Sequence, residues 1–422
     1  MELVLTKRFG KPNSHLLATY EADGGYQAAR KALAMTPEEV VAEVKKANLR
    51  GRGGAGFPAG VKWSFMPKED GRPHFLCVNA DEGEPGTFKD RALMRHDPHQ
   101  LLEGIIIASH AIRADYAMIY VRGEMWDEKA ILMGAIKEAR ARGYFGKGIF
   151  GTAKNLHCTV VTGAGAYICG EETAMINSME GKRGEPRLKP PFPAQVGAFG
   201  MPSTVNNVET ISNAPHILGK GGEWFTSLGL PNDGGTRLFG VSGNVKKPGI
   251  YELPQGFNLK KLIFEVAGGL KDGKTLRAVI PGGSSCPVLR AEEIDIPHSY
   301  DSMRDAGTMA GSAGVIVLTE DQCMVKAMEN LAHFYSHESC GQCTPCREGT
   351  HWLHLVIRRI ERGQGEMKDL DDLLDICGNM IGTTICPLSD AAAMPMRAFV
   401  QKFRDEFEAH IKLGRCPKDG RL

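Results

Sequence analysis

The sequence predicts an α/β unit built on a parallel sheet, followed by a small α+β domain and a C-terminal four-helix bundle. Between residues 75 and 179, apolar strand-like runs alternate with helical stretches, the pattern of βαβ units. From about Thr236 to Leu318 the texture changes to short β-like pieces punctuated by Gly and Pro. After Asp321 it turns to long amphipathic stretches.

The elements follow in order. Thr36-Pro37-Glu38-Glu39 is a capping box with proline at the first helical position, and the helix it opens carries Val40, Val41 and Val44 on one face before stopping at Gly51. A glycine-rich loop comes next. Strands are expected at 75–78, 117–121 and 156–162, with helices at 101–112, 129–141 and 173–179. The α+β segment offers strands at 238–242 and 315–318 around a helical run at 259–266. The bundle helices are expected at 324–335, 352–362 before Gly363, 370–376 and 399–411, the last with Phe403 and Phe407 on one stripe. Domain limits are placed at 1–230, 231–320 and 321–422.

Composition narrows the function. The chain has 422 residues, 51 basic against 50 acidic side chains and a net charge of +1, so no global basic field exists to hold a phosphate backbone and nucleic acid is not an expected partner. The longest apolar stretches, at 104–108 and 314–318, fall far short of the roughly 18–20 residues that cross a bilayer. The start Met1-Glu2-Leu3-Val4, soon followed by Lys7 and Arg8, lacks the apolar region of a secretory signal. A cytoplasmic, bacterial chain is expected.

Cysteine usage is uneven. Of eleven cysteines, Cys77, Cys158, Cys169, Cys286, Cys323, Cys377 and Cys416 are scattered without pairing rhythm, which argues against a disulfide framework. Cys340-Gly341-Gln342-Cys343-Thr344-Pro345-Cys346 instead sets three thiols two residues apart, a spacing that lets each sulfur reach a different iron of a cubane. A fourth ligand must come from Cys377, Cys386 or Cys416. Cys386-Pro387 is preferred, because it sits in a non-helical segment between two expected helices, whereas Cys377 lies on an apolar helix face and Cys416 in the terminal tail. Structural zinc also takes four thiolates, but usually from two separate CxxC or CxxH pairs.

Two loops carry candidate ligand chemistry. Gly51-Arg52-Gly53-Gly54-Ala55-Gly56 matches G-x-G-x-x-G but follows a helix, so the dinucleotide fingerprint lacks its context. Its bare backbone can approach a phosphate or flat ring, Arg52 and Lys62 add positive charge, and Phe57 and Phe65 supply apolar faces. An ordinary glycine turn explains it equally. Asn79 to Gly86, with Asp81, Glu82 and Glu84, ends a predicted strand, where open α/β sheets place their ligands; a solvated acidic turn is the alternative. Gly163 to Thr173 repeats the combination of glycine, aromatic and carboxylate at a second strand end, although helix-dipole compensation alone explains Glu171 and Glu172. Arg187 to Pro193 reads as an extended polyproline linker or a rigid holder for Lys189 and Phe192. Asn206-Asn207 offers two adjacent amides, a helix cap or a hydrogen-bond pair for a polar cofactor chain.

Together these segments carry a resemblance. Arg50 to Pro58, Asn79 to Arg91, Gly165 to Glu172, Lys189 to Pro193 with Asn206-Asn207, and Glu338-Ser339-Cys340 to Glu348 occur in the same order as in the NADH- and FMN-binding flavoprotein subunits of respiratory complex I, and the chain closely resembles that family from Leu49 to about Phe407. The resemblance implies a Rossmann-like FMN domain, a ubiquitin-like β-grasp domain and a bundle holding one [4Fe-4S] cluster. It implies that Gly51, Gly53, Lys62, Asn79, Asp81, Glu82, Tyr167, Gly170, Glu171, Asn206 and Asn207 surround FMN and its phosphate. Phe57, Phe65, Glu84, Glu172, Lys189 and Phe192 would hold NADH, and Cys340, Cys343, Cys346 and Cys386 the cluster. After Cys386 the chain departs from the family in carrying Ser389 and Met394.

The activity implied is hydride transfer from NADH to FMN, then single-electron transfer to the cluster and onward toward quinone, with no catalytic side chain. Implied partners are other peripheral-arm subunits, especially a [2Fe-2S] thioredoxin-like subunit and a large multi-cluster subunit, and the membrane is met only through that complex. A diaphorase subunit of an NAD-linked hydrogenase or formate dehydrogenase shares these motifs. A non-catalytic nucleotide-binding or zinc-stabilised assembly subunit is the alternative of a different class.

Overall fold

The computed structural model describes residues 2–68 and 70–419. The chain divides into two units, one of Met1–Gly83, Phe88–Phe239 and Glu252–Gly256, the other of Glu84–Thr87, Gly240–Tyr251 and Phe257–Leu422.

The first unit is organised by four parallel strands, β1 (Phe75–Ala80), β2 (Tyr116–Val121), β3 (His157–Thr162) and β4 (Ser203–Asn207), in the order β3-β2-β1-β4. Leu76, Cys77 and Val78 are all buried, as expected of a strand covered on both faces, where apolar residues run on without alternating. The chain steps outward from β1 to β2 to β3, then returns to the far side of β1 for β4. Helix Pro98–Ala111 packs beneath the sheet; Asp97 caps it by accepting from Gln100 N–H at 3.3 Å, and nearly every side chain in it is buried. The expected helices at 101–112, 129–141 and 173–179 are present as Pro98–Ala111, Trp126–Ala141 and Glu172–Met179. The capping box at Thr36 forms as expected, but its helix ends at Lys46, short of Gly51.

Chain 236–319 supplies a five-stranded mixed sheet, β5 (Thr236–Gly243), β6 (Gly249–Pro254), β7 (Leu276–Ile280), β8 (Leu289–Arg290) and β9 (Gly314–Thr319), in the order β6-β5-β9-β7-β8. β9 pairs parallel with β5 and antiparallel with β7. The second unit continues in helices Met324–Glu338, Thr344–Glu361, Lys368–Met380 and Leu388–Lys402, which pack on one another, and a shorter fifth, Arg404–Leu413. The single helix expected at 399–411 is therefore two. They part at Phe403, whose backbone leaves the helical region (φ −123°, ψ 28°), and both Phe403 and Phe407 stay buried. The bend keeps the apolar stripe on the core after the direction changes. Among the described residues, no helix is long and apolar enough to cross a membrane.

Helix Pro98–Ala111 meets helix Val208–Ser212 at Gly104, where a side-chain Cβ would run into the Ile211 carbonyl oxygen. Gly104→Ala is expected to destabilise the first unit by about 1–3 kcal/mol, the usual cost of overpacking a tight core, read as a lower thermal midpoint.

Candidate FMN crevice and cysteine loop

Progression along the sheet reverses between β1 and β4, and at such a switch point the carboxyl ends of two adjacent strands open a crevice. At the end of β1, Asn79 Nδ2 donates to the Gly170 carbonyl at 2.8 Å, while its Oδ1 accepts from Asp81 N–H at 3.1 Å. This ties β1 to the turn Tyr167–Gly170, although that turn follows the edge strand β3. A Cβ at Gly83 would lie 3.2 Å from the Tyr167 ring, and one at Gly170 would lie 3.5 Å from the Asp81 carbonyl oxygen. At the end of β4, Asn206 Oδ1 accepts from Trp63 Nε1 at 3.1 Å, and Asn207 caps the next helix by accepting from Glu209 N–H at 3.0 Å. The glycine loop runs over this strand end: a Cβ at Gly53 would stand 3.0 Å from that of Asn207. The crevice is thus lined by backbone that side chains would fill, which suits a flat ring and its phosphate chain. Of the sequence candidates, Gly53, Asn79, Asp81, Tyr167, Gly170, Asn206 and Asn207 come together here.

Several side chains do other work than their sequence context implied. Arg52 offers no charge to a ligand. Its guanidinium is fully buried, donating to Asp233 Oδ1 at 2.8 Å and to the Gly234 and Thr236 carbonyls at 2.7 and 3.3 Å. The Arg52 N–H bonds Thr210 Oγ1 at 2.8 Å, so this residue anchors the glycine loop. Glu82 accepts from the Asp90 and Arg91 N–H groups at 2.8 and 3.0 Å, at the start of helix Lys89–His96. Glu171 caps helix Glu172–Met179 through Thr173 and Ala174 N–H. The segment at 189–193 is bent, with cis peptide bonds at Lys189–Pro190 and Pro190–Pro191, and is not the extended polyproline linker expected.

Beside the crevice, Lys62 Nζ lies 3.2 Å from Glu172 Oε2, and Lys189 Nζ reaches Glu172 and Glu171 at 2.7 and 3.0 Å. Burial pushes the Glu172 carboxyl up, but Lys62 and Lys189 outweigh it and hold it below the ordinary carboxylate range. Phe57 and Phe65 are 47% and 59% exposed, their ring centroids 6.0 Å apart, and Phe192 is 54% exposed. Glu84 lies in the second unit, its Oε1 accepting from Ser285 N–H at 2.7 Å.

A buried charge network was not assigned from sequence. Lys89 bridges Asp90 and Glu209, each at 2.8 Å, and Asn207 Nδ2 donates to Asp90 at 2.6 Å. Burial opposes the Lys89 charge, yet Asp90 and Glu209 raise its pKa; burial and Asp90 push Glu82 up to about 7. Lys89 and Glu209 stand inside or beside the quoted motifs, but only the fold shows that they meet.

In the second unit Cys343 is the N-cap of helix Thr344–Glu361 and Cys346 sits in its first turn, where backbone N–H groups favour anionic sulfur. Gly341 adopts φ +79°, a left-handed conformation suited to glycine, and Ser339 Oγ lies 3.3 Å from Cys346 Sγ. Burial, then the nearby Cys340 and Cys343 charges, raise the Cys346 thiol pKa, outweighing the Ser339 hydrogen bond. Gly349 packs on Met380, the last residue of helix Lys368–Met380, so the loop bearing Cys386 departs beside this first turn. Cys377 is fully buried and burial pushes its thiol up to about 12. Cys416 lies instead with Cys323, Glu361 and His410.

Residues 44–216 match the Nuo51 FMN-binding domain, 238–289 the SLBB domain and 326–410 the NADH-ubiquinone oxidoreductase-F iron-sulfur binding region. The chain is 52% identical over 417 residues to the second F subunit of the NADH-quinone oxidoreductase of Rhizobium meliloti (strain 1021), covering 99% of both chains. The chain belongs to the family of NADH-quinone oxidoreductase F subunits. The F subunit of Streptomyces coelicolor is 48% identical, with 99% of this chain and 92% of that one covered. The NAD+-reducing [NiFe]-hydrogenase in its H2-reduced state superposes with a TM-score of 0.86 at 35% identity, over 97% of this chain and 67% of that one. The expected fold class and the FMN and iron–sulfur cofactors are borne out: the chain is an oxidoreductase flavoprotein subunit with an FMN-binding domain and an iron–sulfur region.

Removing the Arg52 guanidinium strands Asp233. Arg52→Met is expected to cost about 3–5 kcal/mol, as when one partner of a buried pair is lost, and to lower FMN content, measured by denaturant titration and flavin absorbance. The stabilisation from Glu172 is complete above its unfolded-state pKa and is lost as pH falls through its lowered folded value. Glu172→Gln should therefore flatten the acid limb of a urea-midpoint profile below about pH 5.

Proposed function

We propose that the chain oxidises NADH, passing the electrons through FMN to a [4Fe-4S] cluster one at a time, as the electron-entry subunit of an NADH:quinone oxidoreductase. The observation that carries this is the glycine-lined crevice at the β1/β4 switch point, closed by Asn79, Asp81, Gly170 and Asn207. FMN, when bound, supplies hydride acceptance and stepwise electron release. The protein supplies position and field: Gly51, Gly53 and Lys62 approach the phosphate chain, and Asn79, Asp81, Tyr167, Gly170, Asn206 and Asn207 border the ring. Glu82 and Glu171 act through the loops whose helices they cap. Phe57, Phe65 and Phe192 give stacking faces for the dinucleotide, and Lys189, Glu172 and Glu84 give its polar contacts. Cys340, Cys343, Cys346 and Cys386 hold the cluster.

The match to the Rhizobium meliloti relative over 99% of both chains supports a place in a quinone-reducing complex. Its partners are then a [2Fe-2S] thioredoxin-like subunit and a large multi-cluster subunit, in the cytoplasm of a bacterium and at the membrane only through that complex. The likeness to the NAD+-reducing hydrogenase favours a diaphorase assembly as the second reading. Tagged chain purified from its source decides between them: quinone-reductase subunits support the first, a nickel- or molybdenum-bearing subunit the second.

The FMN-loaded chain should reduce ferricyanide with NADH; absence of that activity in a yellow, iron-replete preparation would sink the redox reading. Phe57→Ala with Phe65→Ala should weaken NADH binding by about 1–3 kcal/mol, the worth of stacking one base, seen as a raised KM with flavin content retained.

A further inference from the structure

Cys323, Glu361, His410 and Cys416 come from four separate places in the second unit. Cys323 is the N-cap of helix Met324–Glu338, Glu361 ends helix Thr344–Glu361, His410 lies in helix Arg404–Leu413 and Cys416 follows it. One ligand-type atom from each falls within 4.8 Å of all the others. Cys323 Sγ is 3.3 Å from His410 Nε2 and 3.9 Å from Glu361 Oε2, and His410 Nε2 is 3.3 Å from Glu361 Oε2. A tetrahedral ion with bonds of about 2.0–2.3 Å sets its ligand atoms about 3.3–3.8 Å apart, so these separations already fit a single centre.

The surroundings are built for that geometry. His410 Nδ1 meets the Glu406 carbonyl at 2.7 Å. A carbonyl only accepts, so Nδ1 carries a proton, and the neutral ring turns its Nε2 lone pair toward the cluster, the usual outer-sphere arrangement of a ligating histidine. Cys323 Sγ accepts from Lys326 N–H at 3.2 Å, which orients the sulfur. The tail is brought in by close backbone packing: Gly363 takes φ +70°, and a Cβ there would strike the Gly414 carbonyl oxygen. Lys418 Nζ then bonds the Gln322 carbonyl at 2.9 Å, next to Cys323.

We propose that Cys323, Glu361, His410 and Cys416 bind one zinc ion, a structural site separate from the iron–sulfur loop. Two thiolates with an imidazole and a carboxylate suit zinc, since soft sulfur disfavours magnesium and calcium and the four-atom set closes a tetrahedron. The ion would staple the tail and helix Arg404–Leu413 to the ends of two bundle helices.

The test uses the full chain carrying FMN and iron, dialysed against metal-free buffer and then offered Zn2+, with zinc and iron measured by elemental analysis. Wild type should retain about one zinc per chain, while His410→Asn and Cys416→Ser lose it and keep their iron. Co2+ offered to wild type in place of zinc should give the visible bands of a tetrahedral thiolate site, absent from Cys416→Ser; this readout stands even if a variant folds poorly. The proposal is overturned if wild type takes up neither zinc nor tetrahedral cobalt, or if both variants keep stoichiometric zinc. Zinc that persists in Cys416→Ser but disappears in Cys340→Ser would place the ion in the cysteine loop and overturn it equally.

Discussion

The reversal of strand order between β1 and β4 is the constraint on which the crevice depends. In a parallel sheet each strand end hands the chain to a crossover, and where successive crossovers leave in opposite directions the space above two neighbouring strand ends stays open. Asn79 and Asn207 occupy those two ends in register with one another, and each spends its amide on holding a loop. Asn79 draws in the turn from β3, and Asn207 supports the glycine loop and the following helix. Neither loop needs large side chains, because the strands set the spacing.

Charge buried beneath the loops keeps them in place. Arg52 pairs with Asp233, and Lys89 sits among Asp90, Glu209 and Glu82. Such groups contribute little net stability when intact, since desolvation offsets most of their attraction, but losing one partner is costly. They therefore act chiefly to penalise alternative loop positions. The half-exposed Lys62, Glu172 and Lys189 are less deeply committed and can exchange partners with a polar ligand at smaller cost.

Helix Thr344–Glu361 separates two kinds of ligand set. Its first turn carries the CxxCxxC loop and its last residue is Glu361, at the far end of 18 residues, or about 26 Å at helical rise. Cys346 and Cys323 both sit at helix starts, yet the first has only thiols and a serine for company while the second has an imidazole and a carboxylate. The surrounding donors, and not the cysteine itself, sort the two chemistries.

Much of the fold was legible in the sequence because the information is local. Capping at Thr36, apolar runs at 75–78 and 117–121, and the spacing of Cys340, Cys343 and Cys346 depend on neighbours within a few residues. Tertiary structure alone decided that Arg52 is an anchor, that Glu82 and Glu171 cap helices, that the chain breaks helix at Phe403, and that Cys416 stands beside Cys323. Each of these depends on a partner distant in sequence or on which face the core covers, and a one-dimensional pattern of charges and apolar residues does not contain the distance between them.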